Sequence, residues 1–232
     1  MGKFLLEWLN QVGGGAIGTQ TAGIGFNIQI IAQDANNNTV TLFEGAGNTV
    51  DISSTGTLSA GSGATATFSN GVLAVHSVTI TDAGSFTITA TDSAGGLGSG
   101  TENGVSNSFT VDPGPLDHFL VEGAGGGAIG TQAAAVSFDI QITAQDANNN
   151  TVTLFNGAAN TVDITSTGTL SAGAGATATF TNGVLASHSV TITNTGSFPI
   201  TATDSAGGLG TGTESGASNS FTVNPGPLDH FL

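Results

Sequence analysis

The chain has 232 residues, of which 38% are hydrophobic and only 7% are charged, and its net charge of −15 reflects the near absence of cations, since Lys3 is the sole Lys or Arg. Without cations to displace counterions from phosphates, nucleic-acid binding and attraction to anionic membrane surfaces are excluded. Cysteine is absent, so the fold must be held by packing, hydrogen bonds or bound ions rather than by disulfides.

The N-terminal segment, residues 1–12, carries a short apolar run that Glu7 interrupts. This run is too short for a signal peptide, and no stretch reaches the roughly 20 apolar residues that span a bilayer. We therefore expect no membrane insertion, and an export signal, if the protein is secreted, outside this chain.

An internal repeat determines the predicted architecture. Residues 13–20 return as 125–132, residues 33–40 as 145–152, and residues 113–120 as 225–232, always 112 positions later. About four fifths of the aligned positions are identical, and no gap is needed after residue 13. The chain is therefore two copies of one unit, with a longer opening segment in the first copy.

Within each copy, apolar and polar residues alternate as they do along half-buried strands. In the first copy the apolar positions of three such segments are Phe26, Ile28, Ile30 and Ala32, then Phe86, Ile88 and Ala90, then Phe109 and Val111. Turn-forming clusters at residues 34–38, 69–71 and 82–84 separate the runs. About seven short strands per copy predict an all-β fold of two tandem Ig-like antiparallel β-sandwich domains.

The predicted boundaries follow from the prolines, which lack the backbone donor that a strand needs. We assign residues 1–112 to repeat 1, residues 113–116 to a short Pro-Gly-Pro linker, and residues 117–224 to repeat 2. Residues 225–232 repeat the linker and then begin a first strand, which predicts the start of a third repeat.

Three segments resemble bacterial Ig-like tandem repeats, which occur in the stalks of invasin/intimin-type and other large surface adhesins. They are residues 26–40, which are similar to the A-x-D-A-x-G-N-x-V signature of that family, residues 70–72 and residues 84–92. The sequence departs from the family at Asn37, where Gly is usual, and at Phe86, where Tyr is common. The resemblance implies an Ig-like fold and a bacterial cell-surface or extracellular location.

Two groups of oxygen-bearing side chains are candidate calcium sites, because calcium prefers carboxylate and carbonyl oxygens. Asp112, Asp117 and Glu122 lie near the joint between the copies and form the predicted interdomain site. The alternating series at residues 34, 36 and 38 imitates a calcium loop, but Thr39 and Gly45 stand where such a loop needs Gly and Glu. Its alternative interpretation, which we prefer, is a turn built from Asx side chains.

The other motifs have structural interpretations. The glycines at positions 13, 15 and 18 match a dinucleotide fingerprint, but a strand rather than a helix is predicted to follow. His76 and His188 alternate with apolar residues, which predicts hydrogen-bonded, partly buried side chains. Catalysis lacks a nucleophile with a base and an orienting group, so we predict that the protein is not an enzyme.

These observations predict a stalk or spacer repeat that projects a distal binding region from a bacterial surface. No cofactor is required and calcium is a candidate; the partners are neighbouring repeats of the same chain, with an unknown distal partner and no nucleic acid. Two alternatives remain: repeats that themselves bind a glycan or host protein, and assembly in trans by strand addition.

Overall fold

The computed structural model describes residues 3–8, 15–93, 95–205, 207–228 and 230. The chain divides into two compact units, Met1–Gly114 and Pro115–Leu232. Every regular element in the described ranges is a β-strand. The prediction of an all-β fold with two tandem Ig-like sandwiches is thereby confirmed.

The described residues of the first unit form eleven strands, some of them only two or three residues long. They are β1 (Lys3–Trp8), β2 (Gln20–Thr21), β3 (Phe26–Gln33), β4 (Val50–Ser54), β5 (Leu58–Ala60), β6 (Gly63–Ala64), β7 (Val72–Ile80), β8 (Gly84–Phe86), β9 (Ile88–Asp92), β10 (Asn103–Val105) and β11 (Phe109–Asp112).

The second unit repeats this series strand for strand. Its strands are β12 (Leu116–Gly123), β13 (Gln132–Ala133), β14 (Phe138–Asp146), β15 (Val162–Ser166), β16 (Leu170–Ala172), β17 (Gly175–Ala176), β18 (Val184–Ile192), β19 (Gly196–Phe198), β20 (Ile200–Asp204), β21 (Ser215–Ala217) and β22 (Phe221–Asn224).

Each unit is built from two layers. In the first unit one layer is the antiparallel sheet β1-β3-β7-β5, and the other combines the sheets β10-β9-β4-β6 and β2-β11-β8. Strand β2 runs parallel to β11, whereas the other pairs are antiparallel. The second unit has the same orders, β12-β14-β18-β16, β17-β15-β20-β21 and β13-β22-β19.

The core lies between the layers and is made by the predicted alternation. Ile28, Ile30 and Ala32 on β3 are buried, while the two residues between them are only partly buried. Among the described residues, buried side chains from both layers of the first unit form one cluster, and the second unit has an equivalent cluster. Removing this apolar surface from water is the main stabilising term of each unit.

Two predicted regularities are interrupted. The run from Gly84 to Asp92 is split at Thr87, because β8 pairs with β11 while β9 pairs with β4 and β10. Strand β7 contains a bulge, since Ile28 faces His76 but Ile30 faces Leu73. Ala74, which strict alternation places on the inward face, is consequently exposed.

The opening strands of the two units pair in the same register. Lys3 faces Gln33 and His118 faces Gln145, the equivalent glutamine. This confirms Lys3–Glu7 as the counterpart of the opening strand of repeat 2. Leu116, which the sequence analysis assigns to the linker, is the first residue of β12 and is buried in the core of the second unit.

Glycine is required where the two layers of the second unit meet. Gly216 on β21 lies so close to β12 that an added Cβ would overlap the carbonyl oxygen of Phe119. The ring of Phe119 packs against the rings of Phe155 and Phe180, at centroid distances of 5.2 and 6.2 Å. A side chain at position 216 would therefore have to push β12 off its own core.

Candidate functional site

The three carboxylates of the predicted calcium site lie on different units. Asp112 is the exposed last residue of β11 in the first unit, and Asp117 and Glu122 are on β12 in the second. Asp117 is at a bulge and contacts His118 Nδ1 at 2.9 Å, whereas Glu122 Oε1 accepts a hydrogen bond from the Gly127 N–H at 2.9 Å. Each acid on β12 thus has its own local partner.

Strand geometry limits what these acids can do together. Asp117 and Glu122 are five residues apart on one strand, a separation of about 16 Å at the usual rise per residue. Ligand oxygens must lie about 2.4 Å from a calcium ion, so these two carboxylates do not share one. A role for Asp112 with either of them stays a prediction. In the parts of the chain that the structure describes, no three His, Asp or Glu side chains are grouped to hold a metal.

The calcium-like series at residues 34–38 is an Asx turn, as the preferred interpretation predicts. Asp34 Oδ1 accepts hydrogen bonds from the N–H groups of Asn36 and Asn38 at 2.8 and 2.9 Å, and Asn38 Nδ2 donates to Asp34 Oδ2 at 3.0 Å. The side-chain bond from Asn38, followed by the two backbone bonds, lowers the pKa of Asp34. Asn37 has a φ of 64°, the left-handed geometry that asparagine tolerates.

The equivalent turn in the second unit is built in the same way. Asp146 Oδ1 accepts from the N–H groups of Asn148 and Asn150, both at 2.9 Å, and Asn149 has a φ of 66°. The side chain of Gln145, on the preceding strand, also stabilises this turn by donating a hydrogen bond to the Asn149 carbonyl oxygen at 3.1 Å. The carboxylate therefore organises a turn in both units.

The two histidines on strands β7 and β18 have the predicted environment. His76 and His188 are partly buried, with Nε2 at 2.8 and 2.9 Å from the carbonyl oxygens of Gly61 and Gly173. In the first unit this bond links β7 to the turn before β6, and in the second it links β18 to the turn before β17. Gly61 has a φ of +80°, and a Cβ there would overlap the backbone of Ser77, so the position requires glycine.

The glycine-rich motif near the N-terminus has no nucleotide-binding context in the described residues. Gly13 lies outside them, while Gly15 and Gly18 precede the short strand β2 rather than a helix. A dinucleotide site needs a helix N-terminus to hold the pyrophosphate. The loop is instead held by Asn107, whose amide bonds the N–H and carbonyl of Ile17 at 2.8 and 2.9 Å.

Sequence reasoning missed a pair of buried acids in a glycine-rich loop. Asp92 at the end of β9 is 0% exposed and Glu102 just before β10 is 7% exposed. A Cβ on Gly98 would lie 2.6 Å from Glu102 Oε2 and 2.7 Å from Asp92 Oδ2, so both carboxylates line one side of this loop. Residues 92–102 and their equivalents 204–214 are hereafter called the carboxylate loops.

Glu102 organises the carboxylate loop of the first unit. It accepts hydrogen bonds from the hydroxyl of Ser99 at 2.7 Å, from the Ser99 N–H at 3.0 Å and from the Thr101 N–H at 3.2 Å. These bonds, led by the one from the Ser99 side chain, lower the pKa of Glu102 to about 2. The glycines around the two acids, which look like a flexible linker in sequence, let the loop close tightly over them.

Glu214 has the same role in the second unit. Burial works against its ionised form, but hydrogen bonds from the N–H and hydroxyl of Thr211, both 2.8 Å, outweigh it. The pKa of Glu214 is therefore also lowered to about 2. The spacing of an Asp, a glycine-rich stretch and a Glu ten residues later, present in both copies, was the available sequence signal.

No helix long and apolar enough to cross a membrane occurs among the described residues.

Comparison with known proteins gave no match to any family model and no match among curated proteins.

Solved structures with a similar fold include domains of intimin and invasin. The D0-D1 domains of intimin are 14% identical, with 97% of this chain and 100% of that chain covered and a TM-score of 0.32. The D00-D0 domains of intimin are 12% identical over 95% and 98%, with a TM-score of 0.40. Invasin, described as a bacterial integrin-binding protein, is 15% identical over 97% of this chain and 40% of its own length, with a TM-score of 0.35. At such values the likeness concerns the fold and does not establish a family.

Proposed function

We propose that this chain is a structural spacer of a bacterial extracellular or cell-surface adhesin, and that it projects a distal binding region. The observation that carries the proposal is the repetition itself. Two copies at a constant spacing of 112 residues form the same strands in the same orders, each around its own core. A chain whose units are self-contained gains length with each added copy. Its stability is roughly a sum over units and joints, so the existing units do not depend on the number of copies.

The acidic side chains support this structural role. Asp34, Glu102 and Glu122 each accept hydrogen bonds from backbone N–H groups of their own turn or loop. The same arrangement is present at Asp146 and Glu214 in the second unit. Carboxylates used in this way stabilise loops, and under the proposal they have no catalytic task.

Under this proposal the partners of each unit are the neighbouring repeats of the same protein, and the target of the distal region is a property of another part of that protein. The chain itself needs no cofactor. The charge pattern suits a surface-exposed spacer, because a strongly negative chain repels copies of itself and stays dispersed.

The test is to place the chain between a surface anchor and a reporter and to measure the height of the reporter above the surface. Chains with one, two and four units should raise the reporter by a constant increment per unit. Flexible Gly/Ser chains of equal residue number are the matched control, because their end-to-end distance grows only with the square root of length. A height that does not change with the number of units would contradict the proposal.

A second candidate, assembly in trans, is favoured by one observation. Leu228 is 75% exposed, whereas Leu116, which precedes the same Asp-His-Phe-Leu sequence, is 8% exposed within its core. The segment around Leu228 could therefore pair with a sheet edge of another copy. Light scattering should then show a mass that rises with concentration and falls to that of a monomer when residues 225–232 are deleted. A monomer at all concentrations would exclude it.

A further inference from the structure

The Asx turns present one asparagine of each unit in a sequence suited to covalent modification. Asn37-Asn38-Thr39 and Asn149-Asn150-Thr151 match the Asn-x-Thr acceptor pattern for N-linked sugars. No other asparagine of the chain is followed two positions later by Ser or Thr. Both matches fall on the same turn, after β3 in the first unit and after β14 in the second.

The asparagine that follows each acceptor is bonded within the turn. Asn38 donates its amide to Asp34 at 3.0 Å, and Asn150 donates its own to Asp146 at 2.9 Å, so those amides are used within the turn. Asn37 and Asn149 are exposed. The asparagine selected by the pattern is thus exposed at the apex of the turn in both units, as its two asparagine neighbours also are in the first unit.

The backbone of the turn holds this apex in place. The Asn37 N–H donates to the Asp34 carbonyl at 3.0 Å, and its own carbonyl accepts from Gln33 Nε2 at 3.2 Å. In the second unit the corresponding distances are 3.0 and 3.1 Å. A bulky group attached at this side chain would project into solvent without disturbing the strands or the core.

From this geometry we propose that Asn37 and Asn149 are acceptor sites for an N-linked sugar, one on each unit. The donor is a sugar activated by a phosphate at its anomeric carbon. A bond forms between the side-chain nitrogen and that carbon, the carbon–oxygen bond to the phosphate breaks, and the nitrogen loses a proton. No oxidant or reductant takes part. The result is a sugar at a fixed interval of one repeat along the protein.

The experiment is peptide mapping by mass spectrometry of the protein isolated from its own cells. Trypsin is unsuitable because Lys3 is the sole Lys or Arg, so a protease that cuts after Phe and Leu is used. Peptides containing residues 37 and 149 should each carry a sugar mass, and fragmentation should place it on Asn37 and Asn149. The cell fraction that holds the protein reports location separately, so this proposal and the surface role can fail independently.

Substitutions define the acceptor. Asn37→Gln should remove one sugar and the double variant Asn37→Gln with Asn149→Gln should remove both. Asn36→Gln is the matched control, because it changes an adjacent asparagine but keeps the acceptor pattern, and it should retain both sugars. An unmodified wild-type protein, or a sugar that persists in the double variant, would overturn the proposal.

Discussion

The two units of this chain provide an internal comparison, since they share one fold and differ at few positions. At one of them Asp82 Oδ2 accepts a hydrogen bond from the Thr57 N–H at 2.8 Å, and in the second unit Asn194 Oδ1 accepts from Thr169 at 2.6 Å. The turn therefore requires an acceptor oxygen there and not a charge. By contrast, Glu102 and Glu214 are both acids, which fits a loop in which several donors converge on two oxygens.

A second difference lies at the interruption between β8 and β9. Thr87 donates its N–H to Thr55 Oγ1 at 3.0 Å, whereas the second unit has Pro199, which has no N–H. The next residue is held identically in both, since Ile88 and Ile200 donate to the hydroxyls of Ser106 and Ser218. Proline is tolerated because position 87 lies between two strands and belongs to neither.

The largest effect is expected at the close approach of β12 and β21. Gly216→Ala should destabilise the second unit by about 4 kcal/mol or more, because the new Cβ would overlap the Phe119 carbonyl. Calorimetry of the full chain should show the second unit unfolding early. Gly130→Ala is the control, because nothing lies within 4 Å of its Cβ. If Gly104→Ala, the equivalent change, leaves the first unit stable, then the opening strands of the two units pack differently.

The carboxylate loops should give the chain an acid-sensitive stability. The pKa of Glu102 is lowered from 4.5 to about 2 on folding, so its contribution is complete above pH 4.5 and is lost as the pH falls toward 2. Glu102→Gln should lower the unfolding temperature at pH 7 and flatten its dependence on pH below 4.5. Glu214→Gln should do the same in the second unit, since its pKa is lowered equally. Unchanged acid sensitivity in the double variant would contradict this role.

Position 135 distinguishes the units through backbone strain. Ala135 has a φ of 63°, where the first unit has Gly23 at 75°. A non-glycine residue in this region costs about 1 kcal/mol, so Ala135→Gly should stabilise the second unit by up to that amount, and Gly23→Ala should destabilise the first by a similar amount. Chemical denaturation of the two variants measures both changes. Shifts of the same sign in both would show that φ does not control stability there.

Exchanging the residues at the strand interruption should have a smaller effect. Thr87→Pro loses an exposed hydrogen bond but restricts the unfolded chain, so the net change should stay within about 0.5 kcal/mol. Pro199→Thr should be similarly mild. A loss of several kcal/mol on Thr87→Pro, measured by denaturation, would mean that the two interruptions have different backbone geometry.

Calcium should have the smallest effect. Because Asp117 and Glu122 do not share an ion, millimolar calcium should raise the unfolding temperature by less than about 2 °C relative to chelator. A rise of several degrees that Asp112→Asn abolishes would instead support the interdomain site predicted from sequence. Asn224, the natural equivalent of Asp112, makes this substitution a conservative one.

The alternation of Phe26, Ile28 and Ile30 was enough to predict the sandwich, because strand burial has a period of two that the sequence shows directly. The bulge at Ala74 and the interruption at Thr87 were not predictable, since both depend on which neighbouring strand supplies the partner. The Asx turn at Asp34 was predicted because its bonds are local. The pairing of Asp92 with Glu102 was missed because the glycines between them resemble a linker and not a closed loop.

The shared register of the opening strands has a consequence for how the protein is made. Strands β1 and β12 pair with β3 and β14 at equivalent positions, so an unfolded chain offers each opening strand two acceptors of nearly the same shape. Such near-identical neighbours are prone to swapped pairings that must dissociate before the native units form. Synthesis from the N-terminus reduces this competition, because the first unit can close around its own strand before the second emerges. Refolding from denaturant should therefore be slower and less complete than folding during translation.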